Sequence, residues 1–160
     1  MNSNYDIVLA YGQGGHEAEM RKLVEGLAPL DKGKILVLTD SLKLNSLADT
    51  QFSLPEIRDK HRNSIVTVVS RSLKLLKMLH GIKQNYSPKA VLSTGPGLSV
   101  ITSIYFKFFC KAKVVHVETG CRFYSKSLTG MLMYYIADRF YVQNKEQLAL
   151  YPKAIFSGRL

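Results

Sequence analysis

The chain has 160 residues, 46% of them hydrophobic, which suits one folded domain with a real core rather than a disordered segment. Its formal charge is +10, from 22 basic and 12 acidic residues, so nucleic acid, anionic lipid head groups or a phosphorylated substrate would each suit it. Two cysteines without a CxxC pair, a polar start and no apolar run of the ~20 residues that cross a bilayer point away from a disulfide scaffold, a zinc site, a signal peptide and a membrane span.

In chain order, Ile7-Val8-Leu9-Ala10 reads as a strand, Tyr11-Gly12-Gln13-Gly14-Gly15-His16-Glu17 as a glycine turn, and Ala18, Met20, Leu23, Val24 and Leu27 as one face of a helix. Such a turn leaves amide N–H groups pointing outward at a helix N-terminus, a ready site for phosphate. Pro29 and Gly33 mark a turn before a second buried strand, Ile35 to Asp40. Leu42 to Ala48 is predicted as a short helix, and Asp49 to Asn63 as loop with an edge strand at Phe52-Ser53-Leu54.

From Ser64 to Asn85 the pattern is helical, with Leu73, Leu76, Leu79, Ile82 and Tyr86 as the apolar stripe and Arg71, Lys74, Lys77 and Lys83 elsewhere. A basic amphipathic helix of this kind either covers a sheet or lies on anionic lipid. Ala90 to Ser93 is a third strand, followed by the second glycine turn, Thr94-Gly95-Pro96-Gly97. The helix from Leu98 to Phe109 is apolar almost all round and is expected to be buried. Further strands are expected at Val114 to Val117, Arg139 to Val142 and Ala154 to Phe156, with helices at Leu128 to Ala137 and Lys145 to Leu150. This alternation predicts a single α/β domain over residues 1–160, a Rossmann-like, doubly wound parallel sheet.

Ligands bind beyond the carboxyl ends of such strands. Gln13 to His16, Thr39-Asp40, Thr94 to Gly97, Glu118 to Gly120 and Gln143-Asn144 are all expected on that rim. His16 fits a general base, and Glu118 fits either a base or a holder of a sugar hydroxyl. Arg122 and Lys126 fit phosphate contacts, whereas His116, Met131, Met133 and the Tyr134-Tyr135 pair fit the core or an interface. Gly12-Gln13-Gly14 with Asp40 also opens a dinucleotide fingerprint, but Glu17 occupies its third glycine position.

The motifs Gly12 to Met20, Ser93 to Gly97, Val117-Glu118 with Arg122, Ser125 to Gly130, Ile136 to Gln143, Tyr151 to Ala154 and Gly158 to Leu160 form one ordered set. That set resembles the membrane-recruiting subunit of the eukaryotic dolichyl-diphosphate N-acetylglucosaminyltransferase. It is closer still to the bacterial counterparts in capsule and exopolysaccharide synthesis. The resemblance implies the amino-terminal, acceptor-side domain of a split GT-B glycosyltransferase. A small separate subunit would bind the UDP-sugar, and the acceptor would be a lipid-diphosphate-linked saccharide at the cytoplasmic face of the cell membrane. It implies His16 and Glu118 as catalytic residues and Gly14, Gly15, Gly95, Pro96, Gly97, Arg122, Ser127 and Thr129 as substrate-binding residues, with no cofactor, metal or nucleic acid. The eukaryotic pattern carries an amino-terminal membrane helix, whereas here Tyr5 is expected to enter the first strand almost at once, and Asn144 stands where the family often has Trp. Two other functions fit the residues: a non-catalytic membrane adaptor that activates a partner, and an NAD-binding dehydrogenase domain.

Overall fold

A computed structural model describes residues 6–27, 33–46, 48–55, 57 and 65–160. Strand β1 (Ile7–Tyr11) alternates its side chains between two apolar layers, as the period of two demands. Leu9 and Tyr11 pack with Met20 and Val24 of helix α1 (Gly15–Gly26) and with Ile35 and Val37 of β2 (Ile35–Thr39). Val8 and Ala10 face the opposite layer, with Leu36 and Leu38. That layer is built from α2 (Ile65–Asn85), α3 (Gly97–Cys110) and α4 (Leu128–Ile136).

The remaining strands are β3 (Thr50–Ser53), β4 (Ala90–Gly95), β5 (Lys113–Val117), β6 (Arg139–Val142) and β7 (Ile155–Phe156). Among the described residues the strands form one seven-stranded sheet in the order β3-β2-β1-β4-β5-β6-β7, with every pairing parallel. The predicted doubly wound α/β sheet is therefore the observed fold. Its strand order reverses between β1 and β4, and the crevice that opens there holds the site described below.

At the amino ends of the strands, acidic side chains act as staples. Asp6 takes Lys89 Nζ and the Lys34 amide, and the Lys89 ammonium is the main reason its carboxyl lies below the usual range. Asp138 accepts from the Val114 amide at 2.8 Å and Lys107 Nζ at 3.0 Å. Burial alone would raise its carboxyl, but these two donors together hold it low.

Three local expectations are corrected. No helix forms among the described residues of Leu42 to Ala48 (Leu47 lies outside them). Side chains satisfy that backbone instead: Asn45 N donates to Gln51 Oε1 at 2.8 Å, and Gln51 Nε2 returns to the Lys43 carbonyl at 2.7 Å. In α2 the buried residues are Leu75, Leu79 and Ile82, while Leu73 is 61% exposed and Leu76 39%. The helix carries two apolar stripes, and periodicity alone cannot say which meets the sheet. Helix α3 is buried over its first turns, but Phe108 is 75% exposed and Phe109 59%. The predicted turn at Pro29 and, of the loop up to Asn63, residues 56 and 58–63 lie outside the described residues.

Candidate active site

Two glycine turns meet where β1 and β4 end. The Gly12 amide donates to the Gly95 carbonyl at 3.0 Å, and a Cβ on Gly12 would stand 2.4 Å from Pro96 Cδ. Only glycine allows that approach. Gln13 is tied to β2 by its amide, which donates to Asp40 Oδ1 at 2.8 Å, and by its side chain, which reaches the Asp40 carbonyl at 2.7 Å. The Asp40 carboxylate thus orders the turn, and this tie gives no support to its holding a ribose.

Gly14 precedes α1 with φ +78°, a conformation that favours glycine. Gly15 is different: a Cβ there would meet nothing within 4 Å, so no neighbour in the chain demands glycine. The space beside it opens onto a cavity of about 270 Å³. A bare backbone at a helix N-terminus facing empty space suits the close approach of a phosphate.

His16 follows, on the first turn of α1. Its carbonyl accepts from Thr94 Oγ1 at 2.9 Å, and its ring lies against Gly95, where a Cβ would come within 3.0 Å of Cε1. Its side chain is about one-third exposed, at 34%.

Opposite, β5 contributes His116, and Glu118 follows directly on its last residue, two positions beyond His116. Both are buried, at 1% and 2% exposure. Ser93 Oγ accepts from the Gly95 amide at 3.4 Å and lies 3.0 Å from His116 Nδ1. When that hydroxyl donates to Nδ1, the neutral ring keeps its proton on Nε2, which faces Glu118 Oε2 at 3.5 Å. The other carboxylate oxygen accepts from Ser127 Oγ at 2.8 Å, and Ser127 caps α4 by accepting from the Gly130 amide at 2.7 Å. Tyr151 packs close by; burial first and the Glu118 carboxylate second raise its phenol above the usual range.

Seven of the ten predicted site residues border the cavity: Gly15, His16, Gly95, Glu118, Arg122, Ser127 and Thr129. Gly14, Pro96 and Gly97 do not line it but shape the turns behind it. Ser127 reaches the cavity with its hydroxyl already engaged by Glu118 and the helix cap. His116, assigned to the core, is buried and also lines the cavity, as do Thr94, Thr119 and Cys121. The two-residue spacing of His116 and Glu118 at a strand end was the signal that could have joined them. Asn144 Nδ2 donates to the Gly120 and Arg122 carbonyls at 2.9 and 2.8 Å, which pins the loop carrying Arg122. Among the described residues no cluster of His, Cys, Asp and Glu is placed to hold a metal ion.

Residues 7–160 match the family model described as "Oligosaccharide biosynthesis protein Alg14 like". The chain belongs to the Alg14-like family. The relative from Kluyveromyces lactis, named UDP-N-acetylglucosamine transferase subunit ALG14, is 27% identical over 98% of this chain and 79% of its own length. The protein of the same name from Rattus norvegicus is 27% identical over 96% of this chain and 82% of its own. These Alg14 relatives are eukaryotic and are named as subunits of a glycosyltransferase. Among solved structures, UDP-GlcNAc 2-epimerase from Neisseria meningitidis bound to UDP-GlcNAc aligns with a TM-score of 0.64 at 15% identity, over 96% of this chain and 46% of that one. The Alg14-like chain spans about half of that protein, and the likeness is one of fold: the Rossmann-like amino-terminal domain of GT-B architecture.

Proposed function

We propose that this Alg14-like chain is the acceptor-side half of a two-component glycosyltransferase, moving a sugar from a UDP-sugar to a lipid-diphosphate-linked saccharide. Polysaccharide biosynthesis, in capsule or exopolysaccharide formation, is the setting we assign to it. The observation that carries this reading is the convergence on one cavity of an unobstructed glycine turn, a partly exposed histidine and an arginine loop. The Gly14-Gly15 amides and Arg122 suit the acceptor diphosphate, since charge-assisted contacts to phosphate are the strong ones. His16 then takes the proton of the acceptor hydroxyl. As that oxygen bonds to the anomeric carbon, the bond from that carbon to the UDP oxygen breaks and UDP leaves with the electron pair.

A small partner subunit would supply the nucleotide-sugar side of the cleft. The test is transfer by the co-purified pair, assayed with several UDP-sugars and a lipid-diphosphate acceptor. Turnover is expected only with both chains present. If the partner alone glycosylates soluble acceptors at the full rate, this chain is an adaptor.

Attachment at the cytoplasmic face of a membrane, through a peripheral surface, belongs to the same proposal. No described helix is long and apolar enough to cross a bilayer. Helix α2, however, turns Val66 (77% exposed), Val69 (51%) and Leu73 (61%) outward, beside Lys74 and Lys77, and has no acidic residue. An apolar stripe edged with lysines suits an anionic lipid surface. At about 1 kcal/mol per basic residue, the K74A/K77A variant is expected to bind anionic vesicles about 30-fold more weakly in flotation assays. Equal binding of the variant, or equal binding to neutral vesicles, would remove the lipid role from α2.

A further inference from the structure

Glu19 lies one turn beyond His16 on α1, and its carboxylate is divided between two tasks. Oε1 accepts from Thr119 Oγ1 at 3.0 Å, the Gly120 amide at 2.9 Å and Gln143 Nε2 at 3.2 Å. It thereby ties α1 to the loops that follow β5 and β6. Oε2 has no hydrogen-bond partner although it is shielded from solvent. The same is true of His16 Nδ1, and these two unsatisfied atoms face each other at 3.9 Å.

We propose that Glu19 is a positioning residue for His16: its Oε2 accepts a hydrogen bond from the ring's Nδ1–H and so leaves Nε2 as the unprotonated nitrogen toward the cleft. A shielded donor and a shielded acceptor left apart each carry a desolvation cost, which a shift of about 1 Å removes by forming the bond. Such contacts are often long before substrate binds and tighten in the complex. The carboxylate cannot drift toward another partner, because three donors hold its other oxygen. The ring is held from behind by Gly95, and its backbone by Thr94. The other titratable groups around this cavity are His116 from β5 and Glu118, Cys121 and Arg122 from the segment after it. His116 and Glu118 are engaged with each other, which leaves Glu19 as the acid that faces Nδ1.

This inference rests on the reading of His16 as the base, and the two can fail separately. In Glu19→Gln the three donors keep the amide oxygen at the Oε1 position. The amide nitrogen then stands where Oε2 was and donates toward Nδ1, which forces the ring proton onto Nε2. In the purified pair, E19Q is expected to lower kcat by about 10²-fold or more, with the acceptor KM changed by less than about threefold. Its melting temperature should match the wild type, since the ties to both loops survive.

Nitrogen-15 spectra of the chain's imidazoles give a readout that a merely structural role would not move. At a pH where the ring is neutral, His16 (assigned by its absence in H16A) should carry its proton on Nδ1, and in E19Q on Nε2. A wild-type ring protonated on Nε2, or an E19Q enzyme with full turnover while H16A is inactive, would overturn the role of Glu19 alone. Full turnover by H16A would instead overturn the base assignment itself.

Discussion

Gly130→Ala is expected to melt below the wild type. Gly130 lies in the first turn of α4, where alanine would ordinarily favour the helix by up to about 1 kcal/mol. Here the added Cβ would fall 1.9 Å from Glu118 Oε2 and 2.6 Å from the Tyr151 hydroxyl. Neither can step aside. Glu118 is 2% exposed and tethered by Ser127, and Tyr151 is fully buried against the Tyr134 and Phe140 rings. Overpacking a fixed site costs about 1–3 kcal/mol, and for a chain of this size each kcal/mol moves the melting point by roughly 2–4 °C. After the helix gain is subtracted, a net loss of up to about 2 kcal/mol is expected, a drop of up to about 8 °C. The cause is testable in a double-mutant cycle. Glu118→Ala alone strands the Ser127 hydroxyl and His116 Nε2, but in the G130A background it also removes the clash. The double variant should therefore lose at least about 1 kcal/mol less than the sum of the singles. Strict additivity, or a G130A protein as stable as the parent, would show that the close approach of α4 to Glu118 is not what demands glycine.

What the sequence disclosed follows from which interactions are local. Ile35–Thr39 is a wholly buried strand, and its nearly unbroken apolar run announced a sheet covered on both faces. The glycine turns were equally visible, because backbone conformation is written in single residues. The phase of α2 was not. Two apolar stripes compete on one helix, and only the position of the sheet decides that Leu75 rather than Leu73 is inside. The lost helix near Lys43 has a similar cause: Gln51, six positions beyond Asn45, captures the backbone that helix bonds would have used.

At the site, His16 and Glu118 drew notice as residue types near glycines. Glu19 and Gly130 did not, since their meaning lies wholly in partners far along the chain. Glu19 reaches Gly120 across 101 positions, and Gly130 matters only because α4 crosses the Glu118 carboxylate. An acid in the middle of a helix reads as surface charge until the loop that it holds is known.

His16→Ala and Glu118→Gln should separate along two axes, activity and stability. The His16 ring is one-third exposed, and its Nδ1 has no hydrogen-bond partner, so its loss is expected to change stability by no more than about 0.5 kcal/mol. Activity of the pair should fall by about 10²–10⁴-fold in kcat, the usual contribution of a general base. Glu118 has the opposite profile. One carboxylate oxygen serves Ser127 and the start of α4, and the other faces His116, so neither is free to meet an acceptor hydroxyl without dismantling the wall. In Glu118→Gln the amide oxygen can still serve Ser127, but the amide nitrogen turns a donor toward the Nε2 proton of His116. Two buried donors set against each other in place of a donor facing a carboxylate are left unsatisfied, which costs about 1–3 kcal/mol, so the variant should melt lower. The turnover of its folded fraction should nevertheless stay within about tenfold of the wild type, well short of the 10²-fold or greater loss of a base. The contrast is read by measuring kcat and the melting temperature of both variants in the same pair. An E118Q protein that keeps its melting temperature and loses turnover, beside an H16A protein that keeps both, would transfer the proton-accepting role to Glu118.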